Sequence, residues 1–201
     1  AHTLQHCCTL YVIPKQVELA ERLLEIAPRG INKFTFANSG TEAIEAAILM
    51  AQIATGNDEV IALRHSYSGR SKLAIELTAL HNWKQGMAPS GNVKYTHNGY
   101  CYRCAFGLEY PSCGMKCAYD LEELIKTSTK GSIAALIAEP IQGVGGAIVP
   151  PPEFFQILAE ITRKHGGIFN SDEVQTGFGR TGGRWFGIEH WGVEPDAITA
   201  A

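Results

Sequence analysis

Asp172-Glu173-Val174-Gln175 follows a predicted strand, and its residue types suit a nitrogen-containing aromatic ring. Asp172 can set a carboxylate under a ring nitrogen, because a protonated pyridine needs a negative partner if it is to draw electrons from a substrate carbanion. Val174, two residues on, lies on the same side of an extended chain and can pack on a ring face. Gln175 can donate to a ring hydroxyl. Ser39-Gly40-Thr41 opens a helix, so free backbone N–H groups and the helix dipole make a seat for phosphate there, and Gly40 permits close approach. Tyr67 can stack on the other ring face, and Arg70 can clamp a carboxylate with both arms of its guanidinium. Glu139, ahead of Pro140, can pair with an arginine from elsewhere. Each residue alone also has a plainer reading: a capped helix, a capping aspartate, a loop aromatic, a solvent-facing arginine or a surface acid. It is their shared placement that argues for one site.

Other chemistries fit less well. No Gly-Lys-Ser/Thr phosphate loop occurs, and Gly143-Val144-Gly145-Gly146 is followed by Ala-Ile-Val-Pro-Pro-Pro, not by a helix, so it is no dinucleotide fingerprint. Cys101, Cys104, Cys113 and Cys117 have the compact spacing of a tetrahedral zinc site, with Gly107, Pro111 and Gly114 available for turns. Reduced packed thiols fit the same spacing, and an iron–sulfur cluster or disulfides remain open.

The elements that must position these residues alternate. An apolar stripe over Gln16 to Ala27 predicts a helix. Phe34-Thr35-Phe36-Ala37 is expected as a strand, followed by a helix from Thr41 to about Thr55 that stops at Gly56. Ser39 with Glu42 forms a capping-box pattern. Further strands are predicted at Glu59–Leu63, Val93–Tyr95, Ile133–Ala138, Ile168–Asn170 and Ala197–Thr199. Helices are predicted at Leu121–Lys126 and Glu153–Lys164. The fold class is therefore α/β with a mostly parallel sheet. In such sheets working residues gather beyond the carboxyl ends of the strands. The clusters at 38–41, 65–70, 139–143 and 172–175 would then line one edge.

Bulk properties exclude several classes. Of 201 residues, 45% are hydrophobic and 18% charged, which is enough apolar content for a packed core and rules against disorder. The net charge of -3, with scattered Lys and Arg, offers no basic stripe for nucleic acid or an anionic membrane. No apolar run reaches spanning length. Neither end has the marks of a natural terminus. Ala1-His2-Thr3-Leu4 carries no signal-peptide pattern, and Asp196 to Ala201 opens a strand without its turn, so the chain is read as an internal piece. Cytoplasm is the default compartment.

Taken in order, four blocks closely resemble the class III (omega) aminotransferases. They are Ala37-Asn38-Ser39-Gly40-Thr41-Glu42-Ala43, Tyr67-Ser68-Gly69-Arg70, Glu139-Pro140-Ile141-Gln142-Gly143 and Asp172-Glu173-Val174-Gln175-Thr176-Gly177-Phe178-Gly179-Arg180. The likeness runs on through Glu189-His190-Trp191-Gly192-Val193 and Pro195-Asp196. It implies a fold-type I, pyridoxal-phosphate (PLP) dependent transferase acting as a homodimer, with residues 1–201 forming part of the large domain. A Cys-rich insertion falls at about 97–118, and the N-terminal segment and C-terminal small domain are expected to be missing. The resemblance assigns Ser39, Gly40 and Thr41 to the cofactor phosphate, Tyr67 and Val174 to its two faces, Asp172 to its ring nitrogen and Gln175 to its phenolic oxygen. Arg70 stands where some members bind a substrate carboxylate. Glu139 stands where some pair with a distal arginine. Tyr67-Ser68-Gly69 departs from the usual Tyr-His-Gly. The Schiff-base lysine is expected just after Ala201, so the piece alone is expected to be inactive. Transamination between an amino donor and an oxo acid is implied for the intact protein. A zinc-stabilised or non-catalytic binding module, or a PLP aminomutase or phospholyase, is the alternative.

Overall fold

The computed structural model describes residues 7, 8, 10–84, 86 and 90–201. The opening Ala1-His2-Thr3-Leu4 lies outside them. Five strands, β1 (Val60–Leu63), β2 (Val93–Thr96), β3 (Ala135–Ala138), β4 (Ile168–Asp172) and β5 (Ala197–Thr199), form one sheet in the order β2-β1-β3-β4-β5. Every pairing is parallel, with Val60 level with both Val93 and Ala135, Ala135 with Ile168, and Asp172 with Thr199. The chain leaves β1 towards β2 and then crosses back to place β3 on the other side of β1. The order therefore reverses between β1 and β3, and a parallel sheet opens a crevice beyond the strand ends at such a reversal.

Both faces of the sheet are covered, which explains why β1 and β3 are apolar at every position. Alternate residues supply different cores. Ile61, Leu63, Leu136, Ala138 and Phe169 point to one side, where they meet Leu121 and Ile125 of α4 (Lys116–Ser128) and Phe154, Phe155 and Leu158 of α5 (Phe154–Lys164). Phe155 is fully buried, edge-on to Phe154 at 5.2 Å and to Trp191 at 5.1 Å. Val60, Ala62, Ala135 and Ile137 point the other way, against Ile44, Ile48 and Ala51 of α2 (Gly40–Thr55) and Leu77 of α3 (Lys72–Leu77). The α2 face thus receives the even-numbered residues of β4, Asp172 among them.

Helix α2 starts and stops as its sequence dictates. The Ser39 hydroxyl accepts the N–H of Glu42 at 3.2 Å, and Gly56 ends the helix in the left-handed region at φ 69°. The reciprocal half of the expected capping box is displaced by one residue, because the Glu42 carboxylate accepts the N–H of Asn38, not that of Ser39.

Two expectations need correction. Residues 34–37 form no strand: they pair with neither sheet edge, and Phe36 is exposed, so the two phenylalanines mark an extended connector. The helix expected at Leu121–Lys126 spans Lys116–Ser128, because Ala118 joins Leu121 and Ile125 in one buried stripe. It begins inside the Cys-rich stretch and takes in Cys117. Helix α1 (Pro14–Ile26) forms, but none of its residues is fully buried and Val17, Leu19 and Leu24 stay exposed.

Candidate active site

The crevice at the β1/β3 reversal continues across the end of β4 as a cavity of about 200 Å³. Ser39, Gly40, Thr41, Tyr67, Glu139, Asp172, Val174 and Gln175 line it, joined by Ile44, Ser68, Gly69 and Ile141. Eight of the nine sequence-predicted site residues therefore converge. Arg70 does not line the cavity: it is exposed, with its guanidinium 5.9 Å from the centre of the Trp83 ring.

Several close approaches shape the walls. The first intrahelical bond of α2 joins Ala43 N–H to Ser39 C=O at 3.0 Å. The N–H groups of Gly40 and Thr41 precede it and have no carbonyl to meet within the helix. A Cβ at Gly40 would lie 3.0 Å from Val174, one at Gly69 2.1 Å from the Thr41 hydroxyl, and one at Gly143 1.8 Å from the Gln175 amide. Glycine at these points lets the helix start, the loop after β1 and the segment after β3 close on one another. Tyr67 is held through its backbone, whose N–H donates to Glu139 at 3.0 Å, and its ring meets Trp83 edge-on at 5.3 Å.

Two carboxyl groups dominate the electrostatics. Burial pushes Asp172 up from 3.8 to about 7, against the pull of Val174 N–H, which donates to it at 3.2 Å. Burial, and then the charge of Asp172, push Glu139 up from 4.5 to about 8. Among the described residues neither has a basic partner within salt-bridge distance. Burying a carboxylate without a partner is costly, so the cavity suits a ligand that brings positive charge to Asp172. An anion-friendly helix start stands in the same cavity. A ring carrying a protonatable nitrogen and a phosphate fits that combination.

A second cavity of about 610 Å³ adjoins the first and shares Ile141, Val174 and Gln175 with it. Its wall includes Phe178, Ala201 and a basic side chain, Arg180. Sequence reasoning assigned no role to Arg180 or to Gly69, although both stand in the quoted motifs.

The cysteine stretch stands apart. All four thiols are free, and among the described residues no group of three His, Cys, Asp or Glu side chains is placed to hold a metal ion. Its anchors are of another kind. A Cβ at Gly99 would meet Pro150 at 2.7 Å, the Tyr110 hydroxyl donates to Glu153 at 3.2 Å, and the His97 ring packs tilted against Phe106 at 4.6 Å. Backbone N–H groups of Leu108 and Phe106 pull Cys104 down, whereas burial and then the neighbouring thiols push Cys117 up to about 11.

The family model for class III aminotransferases matches residues 1–201, the whole chain. The chain belongs to the class III aminotransferases. Members of this family depend on pyridoxal phosphate, and the fold agrees. The chain is 41% identical over 189 residues to a leucine/methionine racemase of Thermococcus litoralis, covering 91% of this chain and 42% of that protein. It is 36% identical to an acetylornithine aminotransferase of Archaeoglobus fulgidus, covering 98% and 46%. Among solved structures, a thermostable (S)-enantioselective omega-transaminase from Thermomicrobium roseum superposes with a TM-score of 0.87 at 34% identity, over 94% of this chain and 44% of that one. The chain thus spans less than half the length of these relatives. No described helix is long and apolar enough to cross a membrane.

Proposed function

We propose that the protein containing this chain transfers an amino group from a carboxylate-bearing donor to an oxo acid, using PLP held in the 200 Å³ cavity. The observation that carries this is the buried Asp172 carboxyl, without a basic partner among the described residues, in the same cavity as the start of α2.

When bound, PLP supplies an electron sink for negative charge at the donor's Cα. The chain's own residues bind and orient it. Ser39, Gly40 and Thr41 hold the phosphate through the helix start. Asp172 keeps a proton on the ring nitrogen: its raised affinity lets it carry that proton to neutral pH and share it with the ring. Val174 and Tyr67 cover opposite ring faces, and Gln175 reaches the phenolic oxygen. Arg70 takes a substrate carboxylate as that substrate enters past Trp83, and Glu139 meets an arginine from beyond this chain. Among the described residues no lysine lines either cavity, so residues 1–201 alone are proposed not to turn over. Ala201 lies in the wall of the outer cavity, and the family's lysine, expected next in sequence, would enter the site there. A homodimer and cytoplasmic residence belong to the same proposal, and are checked by light scattering and cell fractionation.

The racemase relative supports a second reading, in which the same ring contacts serve removal and return of the Cα proton without amino transfer.

Titration of the full-length apoprotein with PLP tests the cofactor site. One equivalent should bind, and Asp172→Asn should weaken binding at least tenfold. Unchanged affinity in that variant would remove Asp172 from its role.

A further inference from the structure

Glu173 is completely buried, yet the cavity does not use it. It follows Asp172 and therefore points to the opposite face of the sheet. Its Oε1 accepts the Ser171 hydroxyl at 3.1 Å and the backbone N–H of Ile188 at 2.8 Å. Its Oε2 accepts the Thr176 hydroxyl at 2.5 Å and the N–H of Gly187 at 2.8 Å. The main chain of the same residue is also held: its N–H donates to Thr199 C=O at 2.7 Å, and its C=O accepts from Gly177 N–H at 2.8 Å. Among the described residues no basic side chain pairs with it. Two hydroxyls and two backbone amides therefore hold a carboxylate in the interior.

We propose that Glu173 is a positioning residue for the cofactor cleft, fixing the end of β4 from which Asp172, Val174 and Gln175 reach the cavity. The inference rests on the PLP reading of that cavity. The clamp joins three parts of the chain: β4 through Ser171, the following turn through Thr176, and the 3-10 turn Gly187–Trp191 through its first two amides. That turn cannot move far. A Cβ at Gly187 would lie 2.8 Å from Thr176 and 3.1 Å from Pro140, the neighbour of Glu139. Both carboxyl groups of the cavity are thus tied to one packed unit. The charge of Glu173 also adds to the burial that pushes Asp172 up.

The geometry asks for glutamate and rejects its amide. Each oxygen takes one backbone N–H, and an N–H cannot turn round to accept, as a hydroxyl can. A glutamine here must face its NH2 against either Ile188 N–H or Gly187 N–H in both orientations. Aspartate, one methylene shorter, does not reach both amides.

The test uses the full-length protein, its Glu173→Gln and Thr176→Val variants, PLP affinity by fluorescence titration, and visible circular dichroism of the cofactor at saturation. Glu173→Gln should weaken PLP at least tenfold and reduce the dichroism per bound cofactor, with the far-ultraviolet spectrum retained. Thr176→Val keeps both amide bonds but removes one hydrogen bond to the buried carboxylate, so it should weaken PLP about threefold with only a modest fall in melting temperature. In both, kcat should fall and KM for the amino donor should hold. If Glu173→Gln does not fold, Thr176→Val decides alone. Wild-type affinity and dichroism in the variants that fold would overturn the inference. Failure of the unmodified protein to bind PLP would instead overturn the cavity reading, and the inference with it.

Discussion

The backbone N–H of Tyr67 donates to a carboxyl oxygen of Glu139 across the reversal between β1 and β3, at 3.0 Å. One side chain thereby fixes the loop that carries Tyr67, and the backbone of Gly143 also acts on the same carboxyl. Because Glu139 is pushed up to about 8, the protonated acid prevails at pH 7. Glu139→Gln should then leave the neutral-pH melting temperature within about 2 °C of wild type. Glu139→Ala, which strands the Tyr67 amide, should cost about 1–3 kcal/mol. Thermal and urea melts of the apoprotein check the pair.

Asp172 and Glu139 both hold protons more tightly folded than unfolded. The stability they contribute is fully present below about pH 4 and is lost as pH rises through about 7 and 8. The apoprotein of Asp172→Asn should therefore gain on wild type between pH 5 and pH 8, by on the order of 2 kcal/mol. Paired melts across that window measure the difference, in which titrating groups not coupled to Asp172 cancel, and the part carried by Glu139 is separated by repeating the pair in a Glu139→Gln background. A constant difference would mean that Asp172 is not protonated in the folded apoprotein.

Gly69 combines φ 124° with a Cβ position only 2.1 Å from the Thr41 hydroxyl. Gly69→Ala should cost about 1–3 kcal/mol in backbone strain. It should also push Thr41 away from the helix start, so PLP affinity should fall along with the urea midpoint.

Arg70 lies outside the cavity, against Trp83. If it takes the substrate carboxylate, Arg70→Ala should raise KM for a carboxylate-bearing donor about tenfold, the loss of a charge-assisted contact of about 1.4 kcal/mol. PLP affinity and kcat should be little changed. Steady-state kinetics with a carboxylate-bearing donor and a simple amine separate this from a general defect.

Much of the site was legible because local signals and topology agree. Ser39 and Gly56 mark the two ends of α2, the continuous apolar runs at β1 and β3 mark strands buried on both faces, and strand ends collect polar residues. Other features were hidden. Phe34 and Phe36 suggest a strand, but whether a neighbour exists to bond them is a property of the whole sheet. Glu173 stands in a quoted motif, yet its four donors come from positions as distant as Gly187 and Ile188, which no local pattern reveals. The cysteine spacing left zinc, packed thiols, a cluster and disulfides open, because spacing along a chain does not fix the direction of four side chains; among the described residues no group of three such side chains is placed to hold a metal ion.

Amino-group transfer is tested most directly by mixing the PLP-loaded full-length protein with single amino acids and no acceptor. One oxo acid per bound cofactor should form and then stop, resuming only when a second oxo acid is added. Exchange of the Cα hydrogen with solvent deuterium and inversion of the amino acid, with no oxo acid formed, would contradict it in favour of racemase chemistry.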